Sequence, residues 1–228
     1  LYVSFNFKGN TQDYTRSLDM KKGAAYTEFS ADGTRHQREC FVSRPDNVLV
    51  YSAKADKKGS LTADIALTPY HTVDYSVSGN TIVMSGTLPN GEKFEGRAEV
   101  RVRGGKATVR GQAGTVNVTY THPPRAKDAM MPEYKTEHMP YVHVEGADSV
   151  VILVSLATDY KMDYESNWKG ESPAATNTAV LKAVEGKSLK ELRKAHREDY
   201  SSYYNRLSIN LGKSPAEVSK LATDERLA

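Results

Sequence analysis

The sequence predicts a mainly β protein, an antiparallel β-sandwich of many short strands followed by helices near the carboxyl end. Three observations predict this fold class. Hydrophobic residues alternate with a period of two over most of residues 1–160, turn signals recur about every ten residues, and no helical period separates the strands. Parallel strands need a long crossover between them, so this rhythm favours antiparallel pairing. With its later helices the chain is α+β overall.

The early strands are separated by turn residues that favour hairpins. The stretches 24–29 and 34–42 flank Asp32 and Gly33, and this pair is a hairpin signal because glycine adopts a positive φ without steric cost. The same alternation predicts further strands at 1–7, 48–55, 60–68, 74–78, 81–87 and 93–102. Turns as short as these join antiparallel neighbours.

Residues 111–140 interrupt the alternation. They contain several glycines and prolines together with Met130 and Met131, a composition typical of a long irregular excursion, and we expect one strand within it at 115–120. The alternation resumes at 141–145. Residues 149–157 are then almost continuously apolar, which is typical of a strand buried on both faces.

Capping signals predict helices beyond residue 163. Ser172 and Pro173 begin a helix that runs to Gly186, because serine caps a helix and proline fits its first turn. Its expected inward residues are Ala179, Val180, Ala183 and Val184. Ser188 and Glu191 form a capping box that begins a second helix, running to about residue 205. The inward positions expected on that helix are Leu189, Leu192, Ala195, His196, Asp199, Tyr200 and Tyr203.

The last part of the chain changes period once more. Residues 206–212 alternate like a strand, and Ser214 with Pro215 begins a final helix that runs to residue 228. We therefore expect a sandwich domain at 1–165 and a helical linker with one short strand at 166–228. The first residues already resemble a strand, so we expect that the chain starts within a longer protein or has lost a targeting segment.

Composition and charge predict neither a nucleic acid partner nor a membrane partner. The chain has 228 residues and a formal net charge of +3, and its basic and acidic residues are interspersed, so the weak field predicts no nucleic acid partner. No apolar run approaches the roughly 18 residues that a membrane-spanning helix needs, so no membrane partner is predicted. Cys40 is the single cysteine, which leaves no intrachain disulfide to form.

No residue pattern marks an active site. Hydrolysis by paired carboxylates needs two acids held in one cleft, and the candidate acids do not stand out by their spacing. These acids are Asp13, Asp19, Glu39, Asp64, Glu145, Asp148, Asp159, Asp163 and Asp199. Asp199 and His196 share a helical face one turn apart, where they could act as a pair or could fasten the helix through buried hydrogen bonds.

Two other kinds of site are possible. Histidines 122, 138 and 143 could gather around a metal with Glu133 or Glu137, or could lie scattered on the surface. Aromatic residues near the loop ends could stack on sugar rings or could simply pack. They are Tyr134, Tyr141, Tyr160, Tyr164 and Trp168. We select Tyr134, His138 and Trp168 as candidate substrate-binding residues, and we predict no catalytic residue, metal ligand or cofactor.

Several motifs, taken in order, resemble the amino-terminal region of the α-L-fucosidases of glycoside hydrolase family 95. The motifs are YTRSLD at 14–19, RECFVSRPD at 38–46, FEGRAEVRV at 94–102, VEGAD at 144–148, ATDY at 157–160, HREDY at 196–200, YNRLSINLG at 204–212 and TDERL at 223–227. They cover most of the chain. Residues 111–140 fit the resemblance poorly.

The resemblance implies an architecture and an activity. Members of that family have a β-supersandwich, a helical linker and then a catalytic (α/α)6 barrel, and the stretch from His196 to Leu227 resembles the linker. It implies a parent enzyme that hydrolyses terminal α-L-fucosides of fucosylated glycans with inversion, by groups that the barrel carries, although some members act on galactosides. The expectation is therefore a bacterial, exported enzyme whose barrel is this chain's partner. The chain alone is expected to be inactive and to lack the family's earliest strands, and the alternative is a free-standing carbohydrate-binding module.

Overall fold

The structure, a computed structural model, describes residues 1–7, 9–120, 132–133, 139–210 and 212–227. Its strands are β1 (Tyr2–Phe5), β2 (Gln12–Asp19), β3 (Ala24–Ala31), β4 (Thr34–Ser43), β5 (Val48–Ala55), β6 (Leu61–Ala66), β7 (Val73–Ser78), β8 (Thr81–Thr87), β9 (Lys93–Arg103), β10 (Lys106–Arg110), β11 (Gly114–Val116), β12 (Thr119–Tyr120), β13 (Pro132–Glu133), β14 (Tyr141–Ala147) and β15 (Ser149–Thr158). Its helices are α1 (Pro173–Val184), α2 (Leu189–Tyr204), α3 (Ala216–Lys220) and α4 (Thr223–Leu227).

Two antiparallel sheets of unequal width form the body of the fold. The narrow sheet has the order β1-β6-β14-β10 and the wide sheet has the order β11-β7-β8-β9-β15-β5-β4-β3-β2, while β12 and β13 form a separate pair. Short turns join many sequence neighbours, and Asp32 and Gly33 between β3 and β4 both have positive φ, at 52° and 68°. This pair of angles is that of a hairpin turn that matches strand twist. The predicted antiparallel supersandwich is therefore confirmed.

The main core lies between the two sheets. Alternate residues of the central strands point into it, because side chains alternate between the faces of a strand. The largest fully buried members of this core are Leu61, Ile65, Val73, Ile82, Val142, Val144, Val150 and Ile152. The strand at Ser149–Thr158 lies between β9 and β5, and its other alternate residues point to the opposite face of the wide sheet. The prediction of a strand buried on both faces is thus confirmed.

A second, smaller core lies on that opposite face, beneath α1 and α2. It contains Phe41, Val50 and Leu153 from the sheet, and Val184 and Leu192 from the helices. The capping box at the start of α2 is present, since the Ser188 side chain accepts from the Glu191 backbone amide and the Glu191 side chain accepts from the Ser188 amide. The helices therefore form a third layer on the wide sheet.

Some local predictions are wrong. Residues 207–210 form no strand, because every one of them is exposed and none has a neighbouring strand to supply hydrogen bonds. In place of the single last helix that the sequence predicted, the structure has two short helices, α3 and α4. The extended backbone of Leu221 separates them. Two edge-side strands, Gln12–Asp19 and Lys106–Arg110, were not predicted. The first of them is exposed along almost its whole length, so its polar sequence lacks the alternation of a half-buried strand.

The inward face of α1 is also rotated from the expected one. Val180 and Val184 point inward as predicted, whereas Ala179 and Ala183 are exposed and Asn177 is fully buried in their place. On α2, Leu192 and His196 are buried as predicted, but Tyr203 is 51% exposed. The polar groups that hold Asn177 inward belong to the sheet beneath, as the following section describes.

Candidate functional site

The loop after β15 carries several aromatic side chains. Backbone hydrogen bonds connect the two ends of this loop. The amide of Lys161 donates to the carbonyl of Trp168 at 3.0 Å, and the amide of Gly170 donates to the carbonyl of Asp159 at 2.6 Å. Asn167 and Trp168 have positive φ values of 53° and 61°, a conformation that costs an ordinary residue about 1 kcal/mol or more. The surrounding hydrogen bonds hold the indole-bearing residue in this strained backbone.

The three rings of this loop lie against one another and face solvent. The Tyr160 and Trp168 ring centroids are 6.3 Å apart with an interplanar angle of 5°, and the Tyr164 ring meets the Trp168 ring edge-on at 6.3 Å. Trp168 is 45% exposed and Tyr164 is 78% exposed. Exposed aromatic faces are suited to contact the C–H face of a sugar ring. We call Tyr160, Tyr164 and Trp168 the aromatic loop.

A buried carboxylate anchors the aromatic loop to the wide sheet. Asp159 accepts the backbone amide of Lys93 at 2.8 Å and pairs with Lys169 Nζ at 3.2 Å. The same ammonium donates to the carbonyl of Gly91 at 2.8 Å. The Lys93 amide, followed by Lys169, lowers the pKa of the Asp159 carboxyl. Asp159 is thus an ionised anchor that joins the loop to the turn before β9, and its geometry does not suit a general acid.

His196 and Asp199 contact different partners rather than each other. The Nε2 atom of His196 lies 3.0 Å from the carbonyl of Lys22 and 3.1 Å from that of Gly23, and its ring stacks on Phe41. Asp199 instead accepts from Nε of Arg44 at 2.9 Å, and this hydrogen bond lowers the pKa of the Asp199 carboxyl. Both residues fasten α2 to the sandwich, which is the alternative that the sequence left open.

A buried polar network fastens α1 in a similar way. The Asn177 side chain accepts the Ser155 hydroxyl at 2.6 Å and donates to the carbonyl and carboxylate of Glu95 at 3.0 and 3.1 Å. Arg97 Nε pairs with the same Glu95 carboxylate at 2.7 Å, and its guanidinium also donates to the Ala174 carbonyl at 3.0 Å. Sequence reasoning missed this network, because its members come from strands and a helix that are distant in sequence.

The predicted site residues are only partly brought together. Trp168 lies in the aromatic loop, whereas Tyr134, His138 and the candidate metal ligands His122 and Glu137 lie outside the described residues. His143 is bonded to Asp64, with Nδ1 and Oδ1 2.6 Å apart. Within the described ranges no group of three or more His, Cys, Asp or Glu side chains could hold a metal ion.

The helices of the described part of the chain are also too short or too polar to cross a membrane. The longest of them, α2, has charged residues along most of its length.

Comparisons with known proteins give a consistent result. Residues 1–163 match the family described as "Glycosyl hydrolase family 65, N-terminal domain". The sequence is 23% identical over 234 aligned positions to "Alpha-L-fucosidase 2" of Arabidopsis thaliana, covering 97% of this chain and 26% of that protein. It is 24% identical over 212 positions to "Probable alpha-fucosidase A" of Aspergillus niger, covering 87% of this chain and 23% of that protein.

A solved structure shows the same fold. The "Putative kojibiose phosphorylase from human microbiome" superimposes with a TM-score of 0.55 at 11% identity, covering 86% of this chain and 25% of that one. This chain spans about a quarter of the length of the curated relatives that it matches. The similarity therefore concerns about a quarter of each of these larger proteins.

Proposed function

Since the chain belongs to the family of glycosyl hydrolase family 65 N-terminal domains, we propose that it is the non-catalytic sandwich and linker of a fucosidase of the family 95 type. One observation carries the proposal. The alignment to a plant protein named as a fucosidase covers 97% of this chain but only 26% of that protein. The ordered motifs from 14–19 to 223–227 also favour a fucosidase of the family 95 type over other related enzymes that cleave sugars.

We further propose that the parent enzyme removes terminal α-L-fucose with inversion and that its reactive acids lie in a following (α/α)6 barrel. Inversion needs two carboxyl groups roughly 6.5–9.5 Å apart with a water between them. In the described part of this chain several of the candidate acids are engaged elsewhere, since Glu39 pairs with Arg193, Asp64 with His143 and Asp199 with Arg44. Such paired carboxylates are poor candidates for catalysis.

We also propose the division into a sandwich at 1–165 and a linker at 166–228, and the exposure of apolar side chains in the linker supports it. Leu207 is 76% exposed and Ile209 is 74% exposed, just beyond α2. Exposed apolar residues that follow one another along a segment are typical of a surface that another element covers. The barrel of the parent is the covering element that we propose.

An activity assay of two proteins tests the proposal. The parent enzyme should release fucose from 2′-fucosyllactose and from a nitrophenyl α-L-fucoside, and proton NMR should show the β anomer first. The 228-residue chain should release no fucose under the same conditions. Fucose release by this chain alone would contradict the assignment, and preferential cleavage of the corresponding galactoside by the parent would replace the fucosidase with a galactosidase.

The aromatic loop favours a second candidate, a carbohydrate-binding module. Binding of a fucosylated oligosaccharide to the isolated chain can be measured by calorimetry. The expected result for a module is a loss of affinity of about tenfold on Trp168→Ala, because stacking on an exposed ring contributes on the order of 1 kcal/mol. Tyr70→Ala is the matched control, since Tyr70 is 66% exposed outside the loop. No binding by the unaltered chain would leave the scaffold as the supported function.

A further inference from the structure

The face of the wide sheet that carries the helices is only partly covered, and the uncovered part forms a groove. Residues of β3, β4, β5, β15 and β9 form its floor, and the first turns of α2 form one wall. The cavity has a volume of about 820 Å³. It is therefore large enough for a ligand of several rings.

Strand register shows how the floor is arranged. Gln37, Lys54, Ser149 and Arg103 are direct cross-strand partners on β4, β5, β15 and β9, so their side chains form one polar row. The neighbouring row, formed in the same way, is Glu39, Ser52, Val151 and Arg101. Adjacent strands lie about 4.8 Å apart, so the Cα atoms of Lys54 and Arg103 are about 10 Å apart across Ser149.

The groove has a large excess of positive charge. Seven basic residues but only two carboxylates, Glu28 and Glu39, line it, and the guanidinium of one of the seven, Arg38, lies on the other face of the sheet. Glu39 is already paired with Arg193 and Glu28 with Arg35. Since the whole chain has a net charge of only +3, the basic residues are concentrated here and the concave wall focuses their field.

Most of the basic residues have a structural role. Arg193 holds Glu39, and Arg101 pairs with Glu99 and donates to the Val184 and Lys187 carbonyls at the end of α1. The guanidinium of Arg38 lies over the Phe5 ring, 4.1 Å from its centroid, on the other face of the sheet. Lys54 and Arg103 differ from Arg101 and Arg193, because within the described residues neither of them pairs with a carboxylate within 4 Å, and both side chains are exposed.

We propose that this groove binds an acidic oligosaccharide, one that carries carboxylate or sulfate groups. Lys54 and Arg103 would bind anionic groups on different rings, and the Ser52 and Ser149 hydroxyls and the Gln37 amide oxygen would bind sugar hydroxyls. The proposal rests on membership of a carbohydrate-active family, and it is independent of the parent's fucosidase activity.

Calorimetry with three trisaccharides tests the ligand class. The probes are a trigalacturonate, a sulfated trisaccharide and an uncharged trisaccharide, each titrated into the 228-residue chain at low ionic strength. One or both acidic probes should bind, more weakly as salt is added because exposed charges are screened, while the uncharged probe should bind at least tenfold more weakly. The two acidic probes distinguish a carboxylate from a sulfate ligand. Equal binding of all three, or no binding of either acidic probe, would overturn the proposal.

Matched charge variants test the location. The double variant K54Q/R103Q should weaken binding of the acidic probe about tenfold, since two exposed charge contacts are lost. The control is K106Q/R110Q, which removes one lysine and one arginine from exposed positions of β10 in the narrow sheet. It should change affinity less than twofold. Equal effects of the two variants at unchanged thermal stability would show nonspecific attraction and refute the site, as would equally tight binding of a polyglutamate peptide.

Discussion

The buried network around Asn177 makes a quantitative prediction about how α1 is held. Asn177 is fully buried and makes three hydrogen bonds, one from the Ser155 hydroxyl and two to Glu95. In Asn177→Ala both partners lose a bond inside the protein, and each buried polar group left without a partner costs about 1–3 kcal/mol. We therefore expect the free energy of unfolding to fall by about 3 kcal/mol.

The assay is equilibrium unfolding in urea, followed by circular dichroism and by tryptophan fluorescence. Trp168 is the single tryptophan and lies shortly before α1, so its emission reports the state of the helix junction. The loss corresponds to a fall in Tm of about 9 °C for a chain of this size. Thr178→Ala is the matched control on the exposed side of the same helix, and it should change stability by less than about 0.5 kcal/mol.

The Asn177→Asp variant should make stability depend on pH, which a change in packing alone would not do. A second carboxylate beside Glu95 should have a raised folded-state pKa, because like charges and burial both disfavour ionisation. The loss in free energy of unfolding is therefore small at low pH, where the new acid is neutral. It grows as the pH rises above the aspartate pKa of the unfolded chain, about 3.9. If Asn177→Ala were as stable as the natural sequence, and Asn177→Asp showed no added pH dependence, the network would not be what holds α1.

Further predictions concern the other attachments of the helices and the aromatic loop. Arg193→Ala should lower the free energy of unfolding by about 3 kcal/mol, because it leaves the nearly buried Glu39 carboxylate without its main partner, and adding Glu39→Gln should recover part of the loss in the same urea assay. Gly23→Ala should cost about 2 kcal/mol, since Gly23 has a φ of 59° and a Cβ there would lie 2.8 Å from the Tyr200 ring, whereas Gly33→Ala, with a similar φ but open space, should cost only about 1 kcal/mol. The Asp159 pKa is lowered in the folded state, so its stabilising contribution is complete above the unfolded value of about 3.9 and is lost as the pH falls through the folded value. Trp168 fluorescence between neutral and acid pH should show this loss, and Asp159→Asn should remove it; an unchanged acid transition in that variant would contradict the anchoring role.

The difference between predicted and observed helix faces shows where local sequence information ends. The capping box at Ser188 and Glu191 was predictable because its atoms belong to one turn of chain. The inward position of Asn177 was not, because a polar residue looks like a surface residue until Ser155 and Glu95 are known to lie beneath it. The same holds for residues 207–210, where an alternating pattern has no neighbouring strand to pair with in the part of the chain that the structure describes.

The sequence by itself determined the class of fold, the antiparallel hairpins such as the one at Asp32 and Gly33, and the resemblance to fucosidase amino-terminal regions. These depend on side-chain periodicity and on local backbone preference, which are properties of neighbouring residues. Only the tertiary structure decided which rows of side chains on the wide sheet the helices cover. It also decided that Lys54 and Arg103 lie on either side of Ser149. The physical reason is that pairing register between strands distant in sequence depends on the packing of the whole sandwich, and no local pattern encodes it.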